Sequence, residues 1–348
     1  MSNGNNDLKP YIERIASGDT LNTEDARNAF DIMMTGNATN SQMGAFLMGM
    51  RVRGETVEEI TGGASIMRDK ALAVTAPNGT IDTCGTGGDS SGTYNISTAA
   101  SLIAAGCGVP VAKHGNKALS SRCGSADVLL ALGVKIDTAV ELVEKCIQKA
   151  GIGFLMAPRH HGAMRHVAST RVELGTRTIF NLLGPLSSPA SAKRQLIGVY
   201  SPQWLVPMAE VLRNLGSTHV WIAHGSDGLD EITTTGTTQI AELKNGKVRT
   251  FELTNEDFGL PKSNIEDLKG SDADENARAI TDMLSGLKNP FRDIALANAG
   301  AALVVAGQVD CPKKGVELAS RAIDDGRARR ALEKLIEISN ETSAATEP

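Results

Sequence analysis

The chain lacks the features that mark several large protein classes. Its 35 Lys and Arg fall short of its 40 Asp and Glu, a formal charge of −5. With no basic excess, nucleic acid is not the expected partner. No apolar run approaches the roughly 18–20 residues needed to cross a bilayer, so no membrane partner is expected. The polar opening MSNGNNDLKP holds no apolar stretch of a secretory signal. Five cysteines (Cys84, Cys107, Cys123, Cys146 and Cys311) form no CxxC pair and no metal spacing, which fits reduced thiols better than a disulfide frame. Hydrophobic residues at 41% and charged residues at 22% are ordinary for a folded chain and exclude wholesale disorder. The expectation is a soluble cytoplasmic enzyme.

Aromatic residues are scarce at 3%, while glycine reaches 36 of 348 residues, implying many tight turns or backbone lying against a ligand. At this length two domains are the prior. Residues 1–75 read as a small all-helical domain. Asn22 precedes Asp25 by three, Thr39 precedes Gln42, and Thr56 precedes Glu59. Each spacing is a helix N-terminal capping pattern followed by an apolar stripe, so three helices are predicted. The Met-rich stripe Met33, Met34, Met43, Met48 and Met50 fits either core or a subunit interface.

After the turn cluster Pro77-Asn78-Gly79, short β-type runs alternate with helical ones. Strands are predicted at 81–84, 109–113, 153–156, 195–200 and 219–223, with helices at 97–105 and 127–132 between them. A hairpin is predicted at 238–253, turning at Asn245-Gly246. Residues beyond 289 return to helix, and the tail from 339 is expected to fray. This pattern predicts an α/β domain over 76–348 with a central, mostly parallel sheet flanked by helices. A helical segment near 160–190 is expected to pack on the first domain.

Three loops at predicted strand ends carry polar clusters. CGTGGD at 84–89 is followed by Asn95-Ile96-Ser97-Thr98 at a helix start. It is neither GxGxxG nor GxxxxGK[ST], so neither a dinucleotide fold nor a P-loop is supported. Glycine turns and free helix N–H groups suit phosphate oxygens, against the plainer reading of a capped turn. The second loop, Lys113 to Lys117 with Ser120, Ser121, Arg122 and Ser125, adds cations and hydroxyls. It should lie beside the first, because ligands bind beyond the carboxyl ends of parallel strands. Asp227-Gly228-Leu229-Asp230-Glu231 is the third loop. Adjacent carboxylates repel unless a cation compensates them, as Mg²⁺ shared with phosphates would; a solvated acidic turn is the alternative. His160, His161 and His166 have no HExxH or Cys partner, which argues against zinc. Arg171 is a candidate to bind a carboxylate.

Taken together, CGTGGD at 84–89, NIST at 95–98, KHGN at 113–116, GSAD at 124–127, RTIFNLLGPL at 177–186 and DGLDE at 227–231 resemble the anthranilate phosphoribosyltransferase family. The likeness runs over nearly the whole length. It implies transfer of phosphoribose from phosphoribosyl pyrophosphate to the amine of anthranilate in tryptophan biosynthesis, by a homodimer joined through the helical domains. The donor would be held by Gly85, Gly88, Asp89, Thr93, Asn95, Ile96, Ser97, Thr98, Lys113, His114, Gly115, Asn116, Lys117, Ala118, Leu119, Ser120, Ser121 and Ser125. Ser97, Asp230 and Glu231 would bind Mg²⁺, two ions per subunit with donor bound. Gly85, Asn116 and Arg171 would contact anthranilate, with His114 and His161 lining its approach. The neutral aromatic amine needs positioning more than deprotonation, so no obligatory acid or base is assigned.

Gly162, Cys123, Val172 and Leu130 depart from the family's usual Pro, Ser, Arg and Glu, the first three near the acceptor path. A pyrimidine nucleoside phosphorylase-like enzyme, which needs no acidic metal loop, and a non-catalytic nucleic-acid-binding paralogue are the rival readings.

Overall fold

The computed structural model describes residues 7–89, 91–118 and 122–341. Four helices come first: α1 (Lys9–Ala16), α2 (Thr23–Met34), α3 (Asn40–Arg53) and α4 (Val57–Asp69). The capping patterns act as read. Asn22 accepts from Asp25 N, and Thr39 with Gln42 and Thr56 with Glu59 form reciprocal boxes. The sequence reading missed α1, whose first turn follows Leu8 without any side-chain cap. Met33, Met34, Met43 and Met50 are buried, whereas Met48 is partly exposed.

The rest of the chain alternates: β1 (Ile81–Asp82), α5 (Ile96–Gly106), β2 (Val111–Gly115), α6 (Ser125–Ala131), α7 (Val140–Lys149) and β3 (Ile152–Met156). Then come α8 (Ala157–His160), α9 (Arg165–Leu174), α10 (Phe180–Leu186), β4 (Arg194–Gly198), α11 (Leu205–Asn214), β5 (His219–Gly225), β6 (Thr238–Lys244) and β7 (Lys247–Leu253). Five helices close it: α12 (Asn255–Phe258), α13 (Ala273–Leu284), α14 (Pro290–Ala306), α15 (Pro312–Asp324) and α16 (Arg327–Ser339).

The seven strands lie in the order β3-β2-β1-β4-β5-β6-β7. Pairing is parallel from β3 to β5 and antiparallel across β5-β6-β7, a mostly parallel sheet as expected. The hairpin turns at Asn245 (φ 52°) and Gly246 (φ 75°), the pair of positive dihedrals that a two-residue turn demands.

Several strand limits differ from the prediction. β2 starts at Val111 rather than 109, because Pro110 has no N–H to give the ladder. β1 is two residues long and ends before Thr83, whose hydroxyl turns to Ser101 Oγ at 2.6 Å. β4 stops at Gly198, and β5 runs on to Gly225. The expectation of fraying falls largely on residues 342–348, outside the described residues. Ser339 itself is buried, its hydroxyl accepting from Lys135 N.

Two apolar layers sandwich the sheet. Along β5, Trp221 and Ala223 join the layer of α5, α13, α14, α15 and α16. The alternate residues Val220 and Ile222 join the layer formed by α1–α4, α10 and α11. Period-two alternation thus splits one strand between two cores. α9 packs on α2 and α3, and α10 on α4. No helix among the described residues is long and apolar enough to cross a membrane.

Candidate functional site

The chain fills one side of the sheet with β1, β2 and β3, then crosses back to lay β4 against β1. This reversal of winding opens a crevice beyond the carboxyl ends of the strands, the usual ligand position in such sheets. Thr83, Gly85, Ser97, Gly198, Asp230 and Glu231 line it.

The glycine loop after β1 is fastened from several directions. Thr86 N donates to Gly198 O at 2.9 Å, and Gly87 N donates to Asp230 Oδ2 at 2.7 Å. Gly88 has φ 76°, the left-handed region that favours glycine. Asp89 Oδ1 accepts from Ser91 N, and Thr93 shares a hydroxyl contact with Ser91. At the start of α5, Ser97 N donates to Glu231 Oε1 at 3.1 Å, so the acidic loop sits at the positive end of that helix. The Ile96 side chain is in the core and its N–H bonds Tyr94 O. Thr98 is buried, its hydroxyl unpartnered among the described residues. Asn95 donates its side-chain amide to Cys123 O.

The second loop begins with Lys113, 2% exposed, whose Nζ reaches Ser97 Oγ at 3.3 Å and Thr83 O at 3.4 Å. Burial lowers its pKa, while Cys84, Asp82 and Glu231 hold it up. His114 N donates to Asp82 Oδ1, tying β2 to β1. Asn116 O accepts from Ser125 Oγ at 3.3 Å and Ala126 N at 3.1 Å. Asn116 Oδ1 accepts from Lys117 N, and Ala118 N donates to Asp127. Gly115 lies at the end of β2. Leu119, Ser120 and Ser121 lie outside the described residues.

In the third loop Asp227 is spent on structure, accepting from Leu229 N and from the Thr233 and Thr235 hydroxyls. Asp230 and Glu231 face the crevice. Burial, then Asp89, then Glu231 push the Asp230 carboxyl well above its ordinary range. Burial also pushes Glu231 up, to about 7, against the pull of Lys113. One ammonium does not balance Asp89, Asp230 and Glu231. Hard oxygen ligands with uncompensated charge fit a divalent cation.

The acceptor-side residues are grouped differently. His114 and His161 are buried with ring centroids 5.0 Å apart. Burial and the neighbouring His160 hold His161 down to about 4, and His114 is lowered well below its usual value. His160 Nδ1 bonds Leu72 O, fixing the connector from the helices. Arg171, on α9, has its guanidinium 5.5 Å from the Phe180 ring and, among the described residues, no hydrogen-bond or ion-pair partner. Val172 beside it is 80% exposed. No described contact joins Arg171 to Asn116.

Sequence reasoning missed two kinds of support. Asn298, buried in α14, binds Ile232 through both N–H and C=O, fixing the residue after Glu231. Arg177 grips Gly88 O and stacks on Tyr200. Both contacts span too much sequence for any local pattern to show them.

Comparison with known proteins is consistent along the chain. Residues 78–329 match the glycosyl transferase family, a/b domain, and residues 9–71 the helical bundle domain of that family. The anthranilate phosphoribosyltransferase of Agrobacterium fabrum is 58% identical over 98% of this chain and 99% of its own. The crystal structure of the Thermus thermophilus enzyme of that name superposes with a TM-score of 0.90 at 41% identity, covering 95% of this chain and 99% of that one. The Saccharomyces cerevisiae enzyme in complex with PRPP and Mg gives 0.88 at 28% identity, covering 95% and 97%.

Proposed function

Because the chain belongs to the anthranilate phosphoribosyltransferase family, we propose a division of labour among its three strand-end loops. The chain transfers 5-phosphoribose from phosphoribosyl pyrophosphate to the amine of anthranilate, a step of tryptophan biosynthesis, and is magnesium-dependent. The products are N-(5-phosphoribosyl)anthranilate and pyrophosphate.

The carrying observation is that Gly87 N donates to Asp230 and Ser97 N to Glu231, while Lys113 Nζ reaches Ser97 Oγ. The amides of the glycine loop and of the α5 N-terminus, with Lys113, bind the donor's anionic groups; the 113–121 loop and Ser125 flank them. Ser97 Oγ, Asp230 and Glu231 hold magnesium, two ions per subunit with donor bound. Held by these residues, the metal would supply electrostatic stabilisation for the charge that pyrophosphate gains on leaving. Arg171 grips the anthranilate carboxylate, Asn116 and Gly85 turn the amine toward C1, and His114 and His161, both neutral, line the entrance. No residue here needs to take a proton before attack, since the amine carries a free lone pair.

Residues 1–75 form the helical domain and residues 76–348 the phosphoribosyl-binding domain. A homodimer forms through the helical parts, supported by Val52, 82% exposed on α3. The enzyme is cytoplasmic, in keeping with cysteines that form no disulfide among the described residues. Mixing purified protein, phosphoribosyl pyrophosphate, Mg²⁺ and anthranilate tests the reading. Anthranilate fluorescence falls only when all four are present; a steady signal overturns it.

A further inference from the structure

The glycine loop is short, rich in rotatable residues, and has to present its amides in one orientation. Asp230 of the acidic loop holds Gly87, and the rest of what holds it comes from outside the three loops described above. Arg177, in the connection between α9 and α10, donates from its guanidinium to Gly88 O. The same guanidinium lies 4.1 Å from the centre of the Tyr200 ring, where cation–π attraction fixes its plane. Tyr200 in turn donates its backbone N–H to Thr86 Oγ1 at 3.1 Å, and Thr86 bonds Gly198 O through both N–H and hydroxyl.

These contacts close a ring: Thr86 to Tyr200, Tyr200 to Arg177, Arg177 to Gly88. Inside that ring, Gly87 is gripped separately by Asp230. Two peptide units of the loop, 86–87 and 88–89, therefore have their directions set by distant side chains. A trans peptide is planar, so pointing Gly88 O at Arg177 turns the Asp89 N–H the opposite way. A Cβ at Gly88 would come within 3.2 Å of Arg177 Nη2; the guanidinium occupies the space a side chain would need. Arg51 of α3 donates to the Arg177 carbonyl, which roots this clamp in the helical bundle.

We propose that Arg177 is a positioning residue for the donor site, orienting the amides of the 85–89 loop through Gly88, with Tyr200 as its platform. The proposal rests on the reading of that loop as the donor site. Arg177 touches no reacting atom; its effect is confined to donor binding and alignment.

Steady-state kinetics on the full-length enzyme test this. Replacing Arg177→Ala removes a charge-assisted hydrogen bond and raises the KM for phosphoribosyl pyrophosphate about 10- to 100-fold, with the anthranilate KM within about threefold. Arg177→Lys keeps the charge but not the flat fork that stacks and donates together, and recovers only part of the loss. Tyr200→Leu shows the same donor-selective signature, and the double variant is no worse than the poorer single one. A donor KM within about threefold of the unaltered enzyme in Arg177→Ala, or equal rises in both KM values, overturns the proposal. Should the Ala variant fail to fold, Arg177→Lys and Tyr200→Leu are judged by the same split. Failure of the family reading shows differently, as absence of transfer by the unaltered protein.

Discussion

Gly87 and Asp230 stand 143 positions apart and meet through a 2.7 Å hydrogen bond. That bond joins the loop proposed to receive the donor to the loop proposed to carry the metal. The neighbouring Ser97–Glu231 bond repeats the arrangement, so both carboxylates of the acidic pair are oriented by backbone N–H groups of the phosphate-binding elements.

Asp230→Asn and Glu231→Gln each keep size and shape while removing charge. Turnover is expected to drop by about 10²-fold or more, the scale of losing one preorganised electrostatic group. The magnesium concentration for half-maximal rate rises, and circular dichroism stays native. Ordinary kinetics in both variants would remove the metal assignment.

Gly198 ends β4 directly beneath the acidic loop. A Cβ there would sit 1.4 Å from Asp230 O, so no rotamer change relieves the clash. Gly198→Ala is expected to displace Asp230 and to cost at least about 1–3 kcal/mol of stability, measured by urea unfolding. Activity falls further than stability alone explains. A variant with unchanged midpoint and rate would show that the loop passes elsewhere.

Arg171 is a half-buried cation whose pKa is lowered by burial, with no anion beside it among the described residues. Supplying that anion with the acceptor carboxylate predicts that Arg171→Ala raises the anthranilate KM about 10- to 100-fold and the donor KM by less than about threefold. Equal rises would mean that the arginine serves the fold.

His161 is held down to about 4 against an ordinary 6.5. Between those values the unfolded chain binds the proton and the folded one does not, so this histidine's contribution is lost as pH falls. The slope is up to ~1.4 kcal/mol per pH unit. Asp82, raised to about 6, and Glu231, raised to about 7, act in the opposite sense: their folded forms keep protons longer and favour folding at lower pH. Comparing unaltered protein with His161→Gln cancels those contributions. The variant is expected to lose less stability between about pH 6.5 and 5 in chemical denaturation; superposable profiles would refute the assignment.

The capped helices α2, α3 and α4 were legible because Asn22, Thr39 and Thr56 bond their own backbone within three residues. α1 carries no such mark at Leu8. Strand existence could be read from apolar runs, but strand ends depended on partners. Pro110 shifted β2, and the Thr83–Ser101 bond shortened β1. In the site, glycine density and paired carboxylates advertised the loops themselves. Asn298, Tyr200 and Arg177 stayed hidden since each acts across at least 66 residues on a distant loop, which no composition reports.

The winding order of the sheet has a temporal consequence. β1, β2 and β3 leave the ribosome as one wing, and β4 and β5 follow as the other. At about 5–20 residues per second, the Gly87 amide waits roughly 7–30 s for the carboxylate it will hold. A nascent chain cut anywhere before the acidic loop can own a formed glycine turn and still have nothing to share a cation with. The bond between Gly87 and Asp230 therefore forms only when synthesis has passed the codons of that late loop.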